Sequence, residues 1–336
     1  MSPRSAVLVA LLLAGLAGWT AAANGDAVAA PTDLTIIAAD HTDAAPRAGM
    51  LDATRAGRRI VAVGDHGIVL LSDDDGATFR QAMSVPVSST LTGVSFVDDH
   101  HGWAVGHWGV VLATVDGGES WSLQRQDLAE DRPLFSVLFR SADDGIAVGL
   151  WSLLLRTTDG GRHWQSVTLP PPPDGGKADR NLFHIFAGAG ASLFLAAERG
   201  TVLRSDDGGA TWRYLSTGYA GSLWTGLSLP DGTLLVGGLR GRLFRSEDGG
   251  ATWQPLAVAT KSSITGLAAA AGNAVLAVGL DGLEATSGDG GKSFQTRMRD
   301  DRATLTAAVA TGSGWLLFSD QGVLGTSPSP TPVAGR

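Results

Sequence analysis

The stretch Ser205-Asp206-Asp207-Gly208-Gly209-Ala210-Thr211-Trp212 decides the fold, because close variants of it recur along the chain. The other five octets are SDDDGATF from position 72, TVDGGESW from 114, TTDGGRHW from 157, SEDGGATW from 246 and SGDGGKSF from 287. Their central aspartates lie 41 to 48 residues apart and are Asp74, Asp116, Asp159, Asp207, Asp248 and Asp289. A period near 40 residues with strand-like flanks predicts a β-propeller of four-stranded blades.

The residue types of these octets suit a tight turn between two outer strands. The aspartate carboxylate and the first hydroxyl can accept hydrogen bonds from backbone N–H groups of the turn. Glycine adopts positive φ without strain, and the closing Trp or Phe buries its ring between blades. We therefore predict that the six aspartates hold the scaffold and bind neither substrate nor metal.

A second repeat gives the number of blades. Short hairpins of the type V-G-x-x-G, such as Val63–Gly67 and Val105–Gly109, occur seven times, whereas the octet occurs six times. The last unit runs out at Ser327, before an outer strand. We therefore predict an all-β, seven-bladed propeller with four-stranded blades, in which Leu34–Ala38 supplies the missing strand and closes the ring.

The ends of the chain differ in composition from the repeats. Residues 1–23 combine Arg4, an apolar run from Ala6 to Ala17 and small residues, which indicates an export signal. Residues 24–327 would form the propeller, and the proline-rich residues 328–336 a disordered tail. The sequence contains no cysteine, so we expect no disulfide and no lipid attachment.

The net charge is −8, which argues against a nucleic acid or an anionic membrane as the main partner. We leave peripheral association with a membrane and the oligomeric state open.

The candidate binding residues lie in the seven hairpin turns. In a propeller these turns and the connections between blades form one face, and the octets lie on the other. The turns carry chemically diverse side chains, as a partner-binding surface should. The predicted partner-binding residues are Asp65, His66, His107, Trp108, Trp151, Glu198, Arg199, Arg240, Asp281 and Gln321.

Two hypotheses stay open for the tryptophans at the turn tips, Trp108 and Trp151. Each ring either folds onto its neighbouring blade or stays exposed to anchor a partner. Arginines of the same turns and connections predict a locally basic face, whereas Arg156, Arg204 and Arg245, each directly before an octet, are expected to be part of the framework.

The combination of Gly102-Trp103-Ala104-Val105-Gly106 with the octet from Thr114 to Trp121 resembles the photosystem II stability and assembly factor family, within the Asp-box (BNR-like) propellers. The resemblance covers about residues 50–327. It implies a seven-bladed, non-enzymatic propeller that helps to assemble or stabilise a membrane-protein complex by binding its subunits. It also implies a place outside the cytoplasm, in the periplasm or, in a photosynthetic source, the thylakoid lumen.

The alternative is a carbohydrate-active propeller, either a glycoside hydrolase or a lectin. Sialidases also carry such octets, but they need an arginine triad and a tyrosine nucleophile, and here the only tyrosines are Tyr214 and Tyr219. A glycosidase needs two carboxylates across a cleft, and acids around the channel mouth leave that option open. Because no nucleotide-binding, metal-ligand or nucleophile motif is present, we expect no enzyme activity, no cofactor and no metal.

Overall fold

Seven antiparallel sheets follow one another along residues 37–328, the part of the chain that the structure, a computed structural model, describes. The predicted seven-bladed, all-β propeller is confirmed, and no α-helix occurs among the described residues. Blades 1 to 7 comprise β1–β4, β5–β8, β9–β12, β13–β16, β17–β20, β21–β24 and β25–β27 in chain order.

The strands have the following bounds: β1 Met50–Ala56, β2 Arg59–Gly64, β3 Val69–Ser72, β4 Arg80–Gln81, β5 Leu91–Phe96, β6 Gly102–Gly106, β7 Val111–Thr114, β8 Ser122–Arg125, β9 Leu134–Phe139, β10 Gly145–Gly149, β11 Leu154–Thr157, β12 Gln165–Ser166, β13 Leu182–Ala187, β14 Leu193–Ala197, β15 Thr201–Ser205, β16 Arg213–Ser216, β17 Leu223–Ser228, β18 Leu234–Gly238, β19 Leu243–Ser246, β20 Gln254–Leu256, β21 Ile264–Ala270, β22 Ala274–Gly279, β23 Leu283–Ser287, β24 Gln295–Met298, β25 Leu305–Thr311, β26 Gly314–Ser319 and β27 Gly322–Ser327. Short 3₁₀ turns lie at Ala45–Arg47, Asp65–Gly67, His107–Gly109, Leu150–Ser152, Leu239–Gly241, Ala271–Asn273 and Leu280–Gly282.

Blade 7 has three strands within the described residues, and the other six blades have four. Of the predicted closing strand Leu34–Ala38, positions 34–36 lie outside the described residues, and Ile37 and Ala38 are not in a strand. The next residue, Ala39, donates its N–H to the carbonyl of Val85, 3.0 Å away, between blades 1 and 2. The closing strand therefore stays a prediction, as do the export signal and the tail beyond Pro328, which lie outside the described residues.

The second strand of each blade is buried on both faces, so each blade needs an apolar neighbour on either side. In blades 2 and 3 the strands β6 and β10 are buried at every position. An apolar cluster accordingly fills each of the seven seams between neighbouring blades. Burial on this scale, at about 25 cal/mol per Å² of apolar surface, is the main stabilising term of the ring.

The ring closes by packing blade 7 directly against blade 1. The seam contains Met50 and Ile60 of blade 1 and Leu316 and Phe318 of blade 7. The Thr306 hydroxyl donates to the carbonyl of Met50 at 2.6 Å. The same bond crosses two other seams, from Thr92 to the carbonyl of Leu134 and from Thr265 to the carbonyl of Leu305. The closing seam therefore has an apolar cluster like every other seam and shares this hydrogen bond with two of them.

The six octets form the turns between the third and fourth strands, and all six have the same hydrogen bonds. In each, the aspartate Oδ1 accepts the N–H of the residue four positions on, at 2.8 to 3.0 Å. The first hydroxyl accepts the N–H of the glycine four positions on, over the same range of distances. Each octet thus supplies the partners for its own turn, as predicted from its residue types.

The aromatic rings that close the octets pack toward the preceding blade. Trp121 of blade 2 belongs to the cluster between blades 1 and 2, and Trp212 of blade 4 to the cluster between blades 3 and 4. Phe79 of blade 1 meets Phe318 of blade 7 edge to face, with ring centroids 6.1 Å apart. The turns therefore contribute apolar surface to the seams as well as ending the strands.

In five blades the second strand ends in a glycine that lies close to another backbone segment, whereas Ala197 and Ser319 end this strand in blades 4 and 7. The next residue donates its N–H to the carbonyl that precedes the first strand of the same blade, at 2.9 to 3.3 Å in all seven blades. In blade 2 this bond runs from His107 to Thr90. A Cβ at Gly106 would overlap the Thr90 carbonyl oxygen. The backbone of Gly106 is extended, a conformation that any residue can adopt, so the lack of space for a Cβ is what requires glycine here.

We predict that Gly106→Ala lowers the free energy of unfolding by about 1 to 3 kcal/mol, because the added methyl group forces two backbone segments apart. Chemical denaturation of the variant and the parent measures this. The matched control is Gly176→Ala, where the nearest atom to a new Cβ is at an ordinary 3.5 Å. Equal midpoints for the Gly106 and Gly176 variants would contradict the close-approach explanation.

We also predict acid sensitivity from the octets. Hydrogen bonds from the residue four positions on lower the pKa of Asp74, Asp159, Asp207 and Asp248 to about 2. Because these pKa values lie below the 3.8 that is usual for an aspartate, the stabilisation is complete above about pH 4 and is lost as the pH falls toward 2.

Between about pH 4 and pH 2 the melting temperature of Asp207→Asn should therefore fall by less than that of the parent protein. The control is Asp300→Asn, an exposed carboxylate for which the structure shows no hydrogen bond or ion pair among the described residues. Identical pH profiles for the parent and Asp207→Asn would refute this origin of the acid sensitivity.

Candidate partner-binding face

The antiparallel order of the strands puts the hairpin turns and the octets on opposite faces of the ring. Successive strands of a blade run in opposite directions, so the turn between the second and third strands lies at the same end as the connection to the next blade. We call the surface made by these seven turns and the inter-blade connections the hairpin face. The octets and the turns between first and second strands make the octet face.

The second residue of six hairpin turns has a left-handed backbone. His66, Trp108, Trp151, Arg199, Arg240 and Asp281 have φ between 52° and 59°. This conformation is uncommon for residues with a Cβ and persists where the surroundings fix it. All of them except Trp108 are exposed. The hairpin face therefore displays four different kinds of side chain, His, Trp, Arg and Asp, from nearly the same backbone geometry.

Blade 7 differs, because Asp320 and Gln321 form a two-residue turn between β26 and β27. Both side chains are exposed, and the N–H of Gln321 donates to the hydroxyl of Ser319 at 3.0 Å. Gln321 thus lies on the predicted face without the left-handed backbone of the other turns.

The two tip tryptophans have different surroundings. Trp108 is half-buried and packs against the apolar cluster between blades 1 and 2. Trp151 is 52% exposed, the largest exposed aromatic side chain among the described residues. Trp108 therefore folds onto the neighbouring blade, as the first hypothesis states, whereas Trp151 is exposed, as the second hypothesis requires.

Side chains of the inter-blade connections fix the turns. Asp131 accepts the N–H of Trp108 at 2.7 Å with one carboxylate oxygen and meets Nδ1 of His107 at 3.0 Å with the other. Asn181 accepts the N–H of Trp151 at 3.0 Å and donates from Nδ2 to Glu198 at 2.9 Å. Three of the predicted residues, His107, Trp108 and Glu198, thus take part in the hydrogen bonds that hold the turns.

The proline-rich insertion after the third octet also folds onto this face. Its Asp174 carboxylate lies 2.5 Å from Nη2 of the buried Arg180 and 3.5 Å from Nη1 of Arg199. Burial alone would raise the pKa of Asp174, but the N–H of Gly176 and the two guanidinium charges lower it. The insertion therefore pairs with one side of the Arg199 guanidinium and leaves the rest of that side chain exposed.

The predicted basic character of the face is weaker than the arginine count suggests. Arg125, Arg180, Arg199 and Arg299 each lie within 4 Å of an acidic side chain. Arg240 is exposed and has no ion pair within residues 37–328. The acids come from the connections, whose positions in space the repeat pattern does not give.

Two of the arginines that precede an octet bridge neighbouring blades, as expected for framework residues. Arg156 donates from Nε to the carbonyl of Gly208 at 3.1 Å, and Arg204 from Nη1 to the carbonyl of Gly249 at 2.7 Å. Arg245 instead pairs with Glu247, at 2.5 Å.

The carboxylates around the mouth bond to their own turns and connections. Asp65 accepts from the hydroxyl of Thr90 at 3.3 Å, and Asp281 from the hydroxyl of Ser262 at 2.7 Å. They belong to blades 1 and 6, and the structure does not bring the ten predicted residues into one cluster. They lie at separate positions on the hairpin face, in the turns of all seven blades.

Pattern reasoning missed the aromatic residues at the channel. Phe135, Phe183 and Trp224 each follow the first residue of an inner strand, in blades 3, 4 and 5, and line the central cavity. The signal was present as the recurring pairs Leu134-Phe135, Leu182-Phe183 and Leu223-Trp224. An inner strand of a propeller faces the axis, so an aromatic residue at this position had to be near the channel.

Two negative findings hold for residues 37–328. No three His, Asp or Glu side chains come together as metal ligands would. None of the described helical segments has the length and hydropathy needed to cross a bilayer.

A family model described as photosynthesis system II assembly factor YCF48 matches residues 79–267, more than half of the chain. The chain belongs to this family. The match begins at Phe79, the last residue of the first octet, and ends in β21, the inner strand of blade 6. The repeats are therefore the part of the chain that matches the family.

Curated relatives share shorter segments with this YCF48-family chain. The photosystem II assembly lipoprotein Ycf48 of Picosynechococcus is 37% identical over 42% of the chain and 40% of the relative. The photosystem II assembly protein Ycf48 of Thermosynechococcus vestitus is 42% identical over 12% of each chain. The Synechocystis lipoprotein Ycf48 is 34% identical over 17% of each. The matched segments thus span less than half of each relative's length.

Solved structures of the family share the fold. A chain described as YCF48 bound to D1 peptide superposes with a TM-score of 0.68 at 20% identity, over 87% of this chain and all of that one. YCF48 from Cyanidioschyzon merolae gives a TM-score of 0.64 at 16% identity, over 83% of this chain and 95% of that one.

We predict that Asp131→Ala frees the turn that carries Trp108. Losing one hydrogen bond to the N–H of Trp108 should speed its amide exchange about tenfold, because such a bond contributes roughly 1 to 1.5 kcal/mol. Hydrogen–deuterium exchange followed by NMR measures the rate. The control is Asp127→Ala in the same connection, whose carboxylate does not contact Trp108. Unchanged exchange at Trp108 in the Asp131 variant would show that the turn is fixed by other contacts.

Proposed function

We propose that this chain is a non-catalytic binding propeller that helps to assemble or stabilise a membrane-protein complex, and that the hairpin face is its contact surface. Membership of the YCF48 family supports the role. The YCF48 chain that shares this fold is described as bound to a D1 peptide, a segment of a photosystem II subunit, which suggests a similar protein segment as the ligand here.

The observation that carries the choice of face is the exposed, fixed Trp151. It is 52% exposed, its N–H is held by Asn181, and Arg199 of the next blade lies on the same face with its guanidinium beside Asp174. Aromatic and arginine side chains supply most of the binding energy in protein interfaces, and a fixed backbone reduces the entropy lost on binding. Arg240, exposed on blade 5, extends this surface.

The octet face offers less for recognition. Its octet aspartates are used within their own turns, and two of its arginines, Arg156 and Arg204, bridge neighbouring blades. We propose that its function is to hold the scaffold. The carbohydrate-active alternative is less favourable, because a glycosidase needs two carboxylates across one cleft and the acids of the hairpin face are spread over several blades.

We also propose that the protein acts after export, in the periplasm or in a thylakoid lumen. Two of the relatives are named lipoproteins, which supports a location outside the cytoplasm. We propose that binding to the complex itself holds the protein at the membrane.

We predict that Trp151→Ala combined with Arg199→Ala weakens binding of a D1 peptide at least tenfold, since a central aromatic and an arginine commonly contribute 1 to 2 kcal/mol or more. Fluorescence anisotropy with labelled peptides that tile the D1 sequence measures the affinity of the parent and the variant.

The matched control is Val115→Ala combined with Arg162→Ala, an exposed apolar residue and an exposed arginine on the octet face. This control should bind like the parent. If the octet-face variant loses affinity and the hairpin-face variant keeps it, the assignment of the face is wrong. If no D1 peptide binds the parent, the proposed ligand class is wrong.

A further inference from the structure

The inner strands enclose a small cavity at the centre of the ring. Its lining comes from the first strands of all seven blades, and its volume is about 150 Å³. The pairing of each first strand with its neighbour shifts register near the strand's start, so each inner strand carries one extra residue there. Residues at and just after these bulges line the cavity, which we call the channel cavity.

The wall of the channel cavity is uneven. Blades 3, 4 and 5 contribute Phe135, Phe183 and Trp224, and all three rings are partly exposed to the cavity. Phe135 and Phe183 stack with centroids 5.7 Å apart and planes 18° apart. Blades 2, 6 and 7 contribute threonines instead. One side of the wall is therefore an aromatic collar made of Phe135, Phe183 and Trp224.

Asp52 of blade 1 lies across the cavity from this collar, because in a ring of seven the first blade faces the fourth and fifth. Its Oδ2 accepts the N–H of Val94 at 2.9 Å, and its Oδ1 accepts the N–H of Ala53 at 2.8 Å. A carboxylate has about four lone-pair directions, so about two stay free. Within residues 37–328 no Lys, Arg or His lies within ion-pair distance of Asp52.

His184 of blade 4 is the other titratable residue among those that line the cavity. Its Nδ1 accepts the N–H of Gly226 at 3.2 Å, which requires that nitrogen to be unprotonated. Burial lowers the pKa of His184 to about 4, so the ring is neutral at physiological pH. Among the described residues that line the cavity, Asp52 is therefore the only one with a formal charge, and no cationic side chain there pairs with it.

We propose that the channel cavity binds a single organic cation, the ammonium head of a primary amine, between the Asp52 carboxylate and the aromatic collar. An ammonium group gains from a carboxylate by a charge-assisted hydrogen bond and from aromatic faces by cation–π attraction. The volume is below the roughly 300 to 1,000 Å³ of sites for larger ligands and suits a small alkylammonium head. The ammonium belongs either to a free alkylamine or to a lysine side chain of a bound partner.

This site is independent of the proposed function, because cation binding is measured without any protein partner. Ligand-observed NMR titration of the full chain uses n-butylammonium as the free amine, Nα-acetyl-lysine methylamide as the side-chain source, and 1-pentanol as the uncharged analogue. We expect the amines to bind and 1-pentanol to bind at least tenfold more weakly. Binding of n-butylammonium alone identifies a free amine as the ligand, and binding of both identifies a site that accepts lysine.

Asp52→Asn should weaken amine binding tenfold or more, since the charge is lost while one oxygen acceptor is kept. Trp224→Leu should weaken it about threefold to tenfold and leaves Asp52 intact, which keeps the test decisive if the Asp52 variant fails to fold. Asp300→Asn, an exposed acid outside the cavity, should bind like the parent.

The pH provides a test on the unaltered protein. Burial, partly offset by the N–H groups of Val94 and Ala53, raises the pKa of Asp52 to about 6. The amines stay protonated and His184 stays neutral from about pH 7.5 to pH 5, so affinity should fall about tenfold over this range as Asp52 gains a proton. Affinity that is independent of pH and of Asp52→Asn, equal binding of 1-pentanol, or no binding of either amine would overturn the proposal.

Discussion

The structure depends on one constraint: a blade whose middle strand is apolar on both faces is stable only between two other blades. The strands β6 and β10 show it most clearly, because none of their positions is exposed. A row of such blades would leave one apolar face uncovered at each end. The ring removes both ends by placing Met50 and Ile60 against Phe318, so closure follows from the burial pattern.

Hydrogen bonds then divide the ring into two chemically different faces. On the octet face, aspartate and hydroxyl side chains satisfy the backbone of their own turns, and Arg156 and Arg204 reach the next blade. On the hairpin face, the backbone is held by a carbonyl of its own blade and by connection residues such as Asp131 and Asn181. The side chains at the turn tips are thereby free to vary without loss of the fold, which is where recognition can develop.

The sequence predicts the fold well because its signals are local and repeated. An aspartate that accepts the N–H of the residue four positions on, or a glycine that lies beside a carbonyl, makes its contact within its own blade. The octets and hairpins can therefore be recognised from the sequence alone. The candidate site was harder to predict. Trp108 and Trp151 occupy equivalent turn positions, yet one packs against the core and the other is exposed.

That difference depends on the inter-blade connections, which have no repeat. The pairing of Arg180 and Arg199 with Asp174 depends on how the proline-rich insertion folds back. Asp52 and the three aromatic rings line one cavity because closure of the ring brings distant blades together. Pattern reasoning therefore placed the hairpin turns and the octets on opposite sides of the ring, as the structure has them. It overestimated the positive charge of the hairpin turns and did not identify the residues that line the channel cavity.

The central claim is that the hairpin face alone meets the partner while the octet face holds the ring. Hydrogen–deuterium exchange of the full chain, with and without a bound D1 peptide, tests it most directly. The account predicts slower exchange in segments 149–153, 197–201 and 238–242, and unchanged exchange in the octets at 114–121 and 205–212. Protection confined to the octets would contradict it.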